Sequence, residues 1–323
     1  MDNNDLEGYL SWICSWKCFV FMLLSKPVLN PKHKNISVIV PTFNRSHCLP
    51  RAINSILSQT NPVAEIIIVD DGSTDKTYEI LIENGMIKGS GLGVTIQYFY
   101  QENKGVSAAR NLGITKASNE YIALLDSDDA WIENKLERQL LALKEQNWKH
   151  RISHTEEVWI RNGQQINPKK KHQKSGGYIF ERCLPLCCIS PSSVLLHRTL
   201  FEDYGFFDET LPACEDYDMW LRLCAFEEVL FLEEPLTIKY GGHDDQLSRA
   251  FWGMDRFRVH ALEKLINSNN LSTKQSLQAL DILMSKINIL LLGAEKRKKT
   301  EMAQKFEIKR DYWLKIKRDV SDC

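Results

Sequence analysis

The sequence predicts an α/β fold, a mostly parallel sheet flanked by helices and followed by a helical C-terminal tail. Three observations point there. Short strand-like runs recur at 36–44 (ISVIVPTFN), 65–70 (EIIIVD), 94–100 (VTIQYFY) and 121–125 (YIALL), the first of them β-branched, too short and too uniformly apolar for an amphipathic helix and so suited to a buried strand. Helical spacing intervenes, with Ala52, Ile53, Ile56 and Leu57 after the first run and GVSAARNLGITKA after the third. Strand, helix, strand units of this kind build parallel sheets. The runs also end in polar, Gly- or Asp-rich loops, and in open α/β sheets ligands collect at that end of the strands.

Taken in order, the first strand is expected to close at Pro41. The second ends in Asp70, Asp71 and Gly72, with Ser73 to Asp75 expected to cap the next helix. The fourth delivers Asp126, Asp128 and Asp129 to its carboxyl end. Asp-x-Asp there makes a hard oxygen site suited to Mg²⁺ or Mn²⁺ bridging a diphosphate. The alternative is an acidic turn that caps a helix starting near Trp131. From about 150 to 175 periodicity weakens, and KKKHQK at 169–174 reads as a solvated basic loop, with a clamp on an anionic carrier as the alternative. A strand at about 191–197 and a short helix follow, and Phe201, Phe206 and Phe207 read as core. The next helix covers 216–226, with Glu215 and Asp216 at its start, where a carboxylate also complements the helix dipole. Residues 252–313 are expected to be helical throughout, with Gly293 as a stop before the basic run Lys296 to Lys299.

VIVPTFNR, IIIVDDGSTD, NKGVSAARNLGI and LLDSDD, in that order over roughly 90 residues, together resemble the inverting glycosyltransferases of family two. A fifth motif, ACEDYDMWLR at 213–222, sits where that family carries its base. The resemblance covers about residues 36–245. It implies the Rossmann-like GT-A fold and a nucleotide-diphosphate-sugar donor. It further implies that Pro41, Phe43, Asn44 and Arg45 line the donor site, Phe43 stacking on the base, and that Asp71 accepts the imide hydrogen of a uracil. Asp126 is then near ribose and metal, Asp128 binds Mg²⁺ or Mn²⁺, and Arg110 holds donor sugar or phosphate, unless it is only an exposed helix cation. Asp216 becomes the catalytic base, Glu215 orients the acceptor, and His243 contacts metal or diphosphate. The acceptor is expected to be a saccharide or a lipid-linked sugar. Neither the Gln-x-x-Arg-Trp motif of polymerising relatives nor their membrane spans are found, which favours transfer of a single sugar.

Composition fits an enzyme. The 323 residues allow an ample core, and the formal net charge of -1 makes no electrostatic case for a nucleic-acid partner. The nine cysteines include no Cys-x-x-Cys pair and read as reduced, mostly buried residues of a cytoplasmic protein. The expected organisation is an aromatic, apolar extension (1–33), a catalytic domain (34–250) and a helical region (251–323). The domain divides into a nucleotide-sugar half to residue 130 and an acceptor half beyond it. For YLSWICSWKCFVFMLL at 9–24, three readings stand: an extension packed on the domain, an interfacial helix at the inner face of a membrane, or sequence upstream of the true start.

Two other functions compete. A sugar-1-phosphate nucleotidylyltransferase also sets a nucleotide and a divalent ion on a parallel sheet, but it calls for a Gly-rich basic loop after the first strand, where this chain has PTFNRSH. A catalytically inactive nucleotide-sugar-binding module would lack the base or the metal residues. Both sets are present.

Overall fold

A computed structural model describes residues 36–87, 93–242 and 251–322. The four strand-like runs become β1 (Ile36–Thr42), β2 (Glu65–Asp70), β3 (Thr95–Tyr100) and β4 (Tyr121–Leu124), all parallel, in the spatial order β3-β2-β1-β4. Helices α1 (Leu49–Leu57), α2 (Thr77–Glu83) and α3 (Val106–Lys116) connect them. Strand alternation sends Val38 and Val40 into one core with Ile53, Ile56 and Leu81, and Ile39 into the other with Ala109 and Ile114. Both faces of β1, β2 and β4 are thus covered, which is why those strands read as nearly unbroken apolar runs, while the edge strand β3 stays partly exposed. Each fully buried Ile or Val contributes about 1.5–3 kcal/mol. Helix α3 lies close on β1, since a Cβ at Gly113 would come within 2.4 Å of Ile39 Cγ2.

The second half continues the same sheet with a change of direction. Its elements are β5 (Ala130–Trp131), α4 (Lys135–Glu145), β6 (Ile152–Arg161), β7 (Gln164–Ile166), α5 (Phe180–Cys183), β8 (Val194–His197), α6 (Thr199–Tyr204), α7 (Glu215–Cys224) and β9 (Val229–Gly241). Strand β8 runs antiparallel to β4 and β6, and β6 pairs in parallel with β9 through a register shift at Thr155–Glu157.

Several expectations are corrected. No helix starts at Trp131; Ala130 and Trp131 pair with Ile238 and Thr237, and α4 begins at Lys135. The weakly periodic stretch after 150 holds a ten-residue strand, β6, hidden because it buries Ser153, His154, Thr155 and Glu157 where an apolar alternation was sought. Pro41 lies inside β1, one residue before its end. The N-cap position of α2 falls on Lys76, but Asp75 accepts from Thr77 N (3.0 Å) at the start of the helix, as expected of a capping carboxylate, while Ser73 and the other Asp75 oxygen bond to the β1 loop. Phe201 and Phe207 are core, but Phe206 is exposed.

The tail forms three helices, α8 (Asp255–Asn267), α9 (Thr273–Lys296) and α10 (Thr300–Ser321), rather than one continuous run. A capping box between Ser272 and Gln275 starts α9. The helix passes through Gly293 without stopping. Its periodic face, Leu280, Leu283, Ile287 and Leu290, is buried in the core cluster that also takes in Leu262 and Trp313.

Candidate active site

Because β1, β2 and β4 are parallel neighbours, their carboxyl ends deliver three loops to one edge. Ile39 accepts a hydrogen bond from Leu125 N, so its peptide faces β4, and Pro41, two residues on, faces the same side just after β4 has ended. The N–H that proline lacks has no partner to lose there. Phe43 then leaves the strand with its ring 43% exposed.

Asn44 adopts φ +52°, and its side-chain oxygen accepts from Thr74 N (2.7 Å) and Asp75 N (3.2 Å). Its own N–H donates to Ser73 Oγ, and Arg45 N–H donates to Thr77 Oγ1. Asn44 therefore clasps the β1 loop to the Asp-Asp-Gly loop. Asp71 is buried and accepts from Gln101 Nε2 (2.7 Å), Lys104 N (2.8 Å) and Gly105 N (2.8 Å), leaving one carboxylate lone pair. Gly72, at φ +86°, is required by close approach, since a Cβ would sit 2.8 Å from Asn103 N.

The three carboxylates of the acidic turn have separate environments. Asp126 accepts from Arg110 Nη2 at 2.7 Å, and although burial pushes its pKa up, Arg110 and Lys239 hold it below the usual range. Asp129 is a buried structural group: it accepts from Ser192 Oγ (2.6 Å) and Tyr240 N (3.2 Å), with Lys239 Nζ at 3.4 Å. Burial raises it to about 7, opposed by Lys239 and reinforced by Asp128 and Asp126. Asp128 is half-buried and forms no ion pair among the described residues, while burial and the Asp126 charge raise its pKa. Lys239 and Arg45 oppose that rise without reversing it, and a carboxylate held up by a like charge is one that an added cation relieves.

Across the site, Cys214 at φ +64° turns the chain into α7. Glu215 is buried and accepts from Arg110 Nη1 at 2.6 Å. One guanidinium thus spans Asp126 and Glu215, tying the acidic turn to the first turn of α7. Arg110 is buried, no exposed helix cation, and both ends of its fork carry a carboxylate partner. Burial first, then the Asp216 charge, raise the pKa of Glu215 against the opposing charge of Arg110.

Asp216 points the other way. It lines a cavity of ≈ 430 Å³ walled by β6, β9 and the 187–191 segment, with Trp159, His172, Lys174 and Lys239 around it. Its Oδ1 accepts from Tyr217 N (2.7 Å) and its Oδ2 from Cys187 Sγ (3.2 Å). Burial and the neighbouring Asp216 charge push the Cys187 thiol well up, so it stays a donor. Asp218 is turned inward onto Arg222 and Lys264, as i+2 helical geometry requires.

Sequence reasoning missed Lys239. Its ammonium bonds Ser190 Oγ at 2.9 Å and lies among Asp126, Asp128, Asp129 and Glu157, whose charges outweigh burial and raise its pKa. A lone Lys in the apolar β9 stretch carried no signal. The buried Glu157–Lys174 ion pair (3.1 Å) was missed with β6, although Lys174 belongs to the basic loop whose neighbours Lys170–His172 form a 3₁₀ turn. His243 falls outside the described residues. Among those described, no three His, Cys, Asp or Glu side chains converge on a closed metal cage. Cys183, Cys187, Cys188, Cys214 and Cys224 are free thiols.

The family model described as glycosyl transferase family 2 matches residues 37–205. An uncharacterized glycosyltransferase of Rickettsia conorii is 34% identical over 238 residues, 72% of this chain and 35% of that protein, so this chain spans about a third of that relative. The UDP-Glc:alpha-D-GlcNAc-diphosphoundecaprenol beta-1,3-glucosyltransferase WfgD of Escherichia coli is 33% identical over 190 residues, 58% of this chain and 69% of WfgD. Among solved structures, residues 1–349 of S. aureus TarS in complex with UDP-GlcNAc share the GT-A fold at a TM-score of 0.58 and 18% identity, covering 84% of this chain and 90% of that one.

Proposed function

Since the chain belongs to glycosyl transferase family 2, we propose that it transfers one sugar from a UDP-sugar to a hydroxyl of a saccharide or lipid-linked acceptor, with inversion, in surface-glycan synthesis. The observation that carries this reading is the Arg110 bridge, which holds the acidic turn at a fixed relation to the segment bearing Asp216. Donor chemistry belongs to one side of that bridge and the acceptor cavity to the other. WfgD, named for UDP-Glc and a diphosphoundecaprenol-linked GlcNAc, supports the donor and acceptor classes.

On the donor side, the exposed Phe43 ring stacks on the base and the remaining lone pair of Asp71 accepts the uracil imide hydrogen. Asp128 and the unbonded oxygen of Asp126 suit Mg²⁺ or Mn²⁺, which binds through one or two carboxylates plus substrate phosphates and so needs no closed protein cage. Such an ion, when bound, offsets charge on the departing diphosphate. On the acceptor side, Asp216 takes the proton of the acceptor hydroxyl. The oxygen lone pair forms the new bond to the anomeric carbon while the bond to the diphosphate breaks on the opposite face. Cys187 and the Tyr217 N–H hold the Asp216 carboxylate in place for that transfer.

A panel of nucleotide sugars scored by metal-dependent hydrolysis tests the donor class without knowledge of the acceptor. Absence of hydrolysis for every UDP-sugar, together with turnover of another nucleotide sugar, would remove uridine from the reading. Asp128→Asn is expected to abolish Mn²⁺-dependent UDP binding in a calorimetric titration while leaving the apo melting temperature unchanged or slightly higher, because a strained charge beside Asp126 is gone. Retained metal-dependent turnover would show that the ligand was misassigned.

The cavity wall gives a second test. Trp159 and His172 lie 5.4 Å apart at a 49° tilt and offer an aromatic face to a sugar ring. Trp159→Leu is expected to raise the acceptor KM by about fivefold, equivalent to ~1 kcal/mol, with the donor KM unmoved. A change confined to the donor KM would assign the cavity to the donor.

A further inference from the structure

The basic run after α9 takes no part in the site described above, and the structure surrounds it with features that no activity explains. Trp252 stands with its ring 48% exposed, and three cations collect on it: the guanidinium of Arg256 at 3.8 Å from the ring centroid, Lys299 Nζ at 5.5 Å and Arg297 at 6.0 Å. The ring borders a cavity of ≈ 400 Å³ whose wall includes Ile289, Gly293, Arg258 and Arg297. Ile289 is 56% exposed and Leu292, one turn on, 63%.

Gly293 explains how the cluster is built. In a helix interior, Gly costs about 1 kcal/mol relative to Ala. A Cβ there would come within 3.1 Å of Arg297 Nη2, so the bare backbone is what lets this guanidinium lie flat over α9 toward Trp252. Lys296, Arg297, Lys298 and Lys299 are all exposed, and none forms an ion pair among the described residues. Asp255, at the cavity wall, is already neutralised by Arg258 (2.8 Å) and Lys286 (3.2 Å). A chain of net charge -1 thus concentrates unpaired positive charge around an amphipathic ring and two exposed aliphatic side chains.

We propose that this face, formed by Trp252, Arg256, Ile289, Leu292 and the 296–299 run, docks on an anionic phospholipid surface. The charge complementarity is with lipid phosphates, and the indole and aliphatic groups suit the boundary between headgroups and acyl chains. Although α9 is long and apolar enough to cross a membrane by length and composition, its Leu280, Leu283 and Ile287 face the protein core. The helix lies on the surface of the bilayer in this proposal and does not span it. The inference goes beyond the proposed transfer reaction and does not depend on the identity of donor or acceptor.

The test is co-sedimentation of the full chain with vesicles of phosphatidylcholine alone and of phosphatidylcholine containing about one-third phosphatidylglycerol, at low salt and at about 0.5 M salt. Binding is expected only to the anionic vesicles and should weaken with salt. Each cation near such a surface is worth about fivefold in affinity, so Arg297→Gln with Lys299→Gln should weaken binding by about 25-fold. Trp252→Ala should weaken it at both salt concentrations, with UDP-sugar hydrolysis in solution unchanged for every variant. Equal binding by the parent and the double variant overturns the proposal, even if residues 1–33 bring the chain to vesicles by themselves. So does equal binding to neutral and anionic vesicles. A concentration-dependent dimer abolished by the same substitutions, without vesicle binding, would assign the face to a second copy of the chain.

Discussion

Asp216→Asn is expected to lower transfer by about 10² to 10⁴ while UDP and Mn²⁺ affinities stay near those of the parent, because only the proton acceptor is lost. The local structure should survive. The carboxamide oxygen keeps the bond from Tyr217 N, and the amide faces the sulfur of Cys187, a weak acceptor that tolerates it. Single-turnover transfer measured beside nucleotide titration separates the two quantities. The structure sharpens the test, since the other carboxylates of this turn are already committed, Glu215 to Arg110 and Asp218 to Arg222 and Lys264. Neither can take over the base role without breaking a buried ion pair. Collapse of nucleotide affinity together with rate would therefore move Asp216 to the donor side and leave the base to be sought outside α7.

How much of this was legible in the sequence varies with the kind of interaction. Strands β1, β2 and β4 announced themselves because a parallel sheet covered on both faces leaves nowhere for polar residues except the strand ends. The polar ends then marked the site: Asp126 and Asp128 at β4 and Asp71 at β2. Strand β6 gave no such signal, for it buries Ser153, His154 and Glu157 against side-chain and main-chain partners such as Gln139, Ser175 and Lys174. Polar satisfaction of that sort is a tertiary property, invisible to periodicity. The same holds for Lys239, which matters because four carboxylates from two other segments surround it. Gly293 misled in a different way. Its signature is that of a helix stop, but here the missing side chain makes room for Arg297, a reason that appears only when the neighbouring turn is placed.

Arg110 shows the same limit most plainly, and it carries the largest effect expected on folding. Its motif gave it a role toward the donor, and the structure sets it between Asp126 and Glu215, 105 positions away from the latter in sequence. Removing one partner of a buried ion pair costs about 3–5 kcal/mol, because the remaining charge is left without compensation. Arg110→Met strands two such charges, and the melting temperature should fall by something on the order of 6–20 °C at neutral pH.

The loss should depend on pH with a definite sign. In the parent, Arg110 holds Asp126 below its ordinary pKa, so that contribution is present above the unfolded value and disappears only as acid protonates the folded carboxylate. In the variant, burial at Asp126 is opposed by Lys239 without Arg110, and burial and the Asp216 charge act on Glu215 with no cation against them, so both pKa values rise, the folded state binds the extra protons and its stability falls as pH rises. The gap between parent and variant should therefore widen from about pH 4 to pH 7. Arg110→Lys should recover little, since one ammonium cannot reach both carboxylates as a planar fork does. Pairing Arg110→Met with Glu215→Gln should restore part of the stability, because one of the two stranded charges is gone. Thermal melts of the four proteins across that pH range decide the matter. A pH-independent loss, or no recovery in the double variant, would mean that Arg110 stabilises through its contact with Phe207 and its packing, not by bridging the two halves of the site.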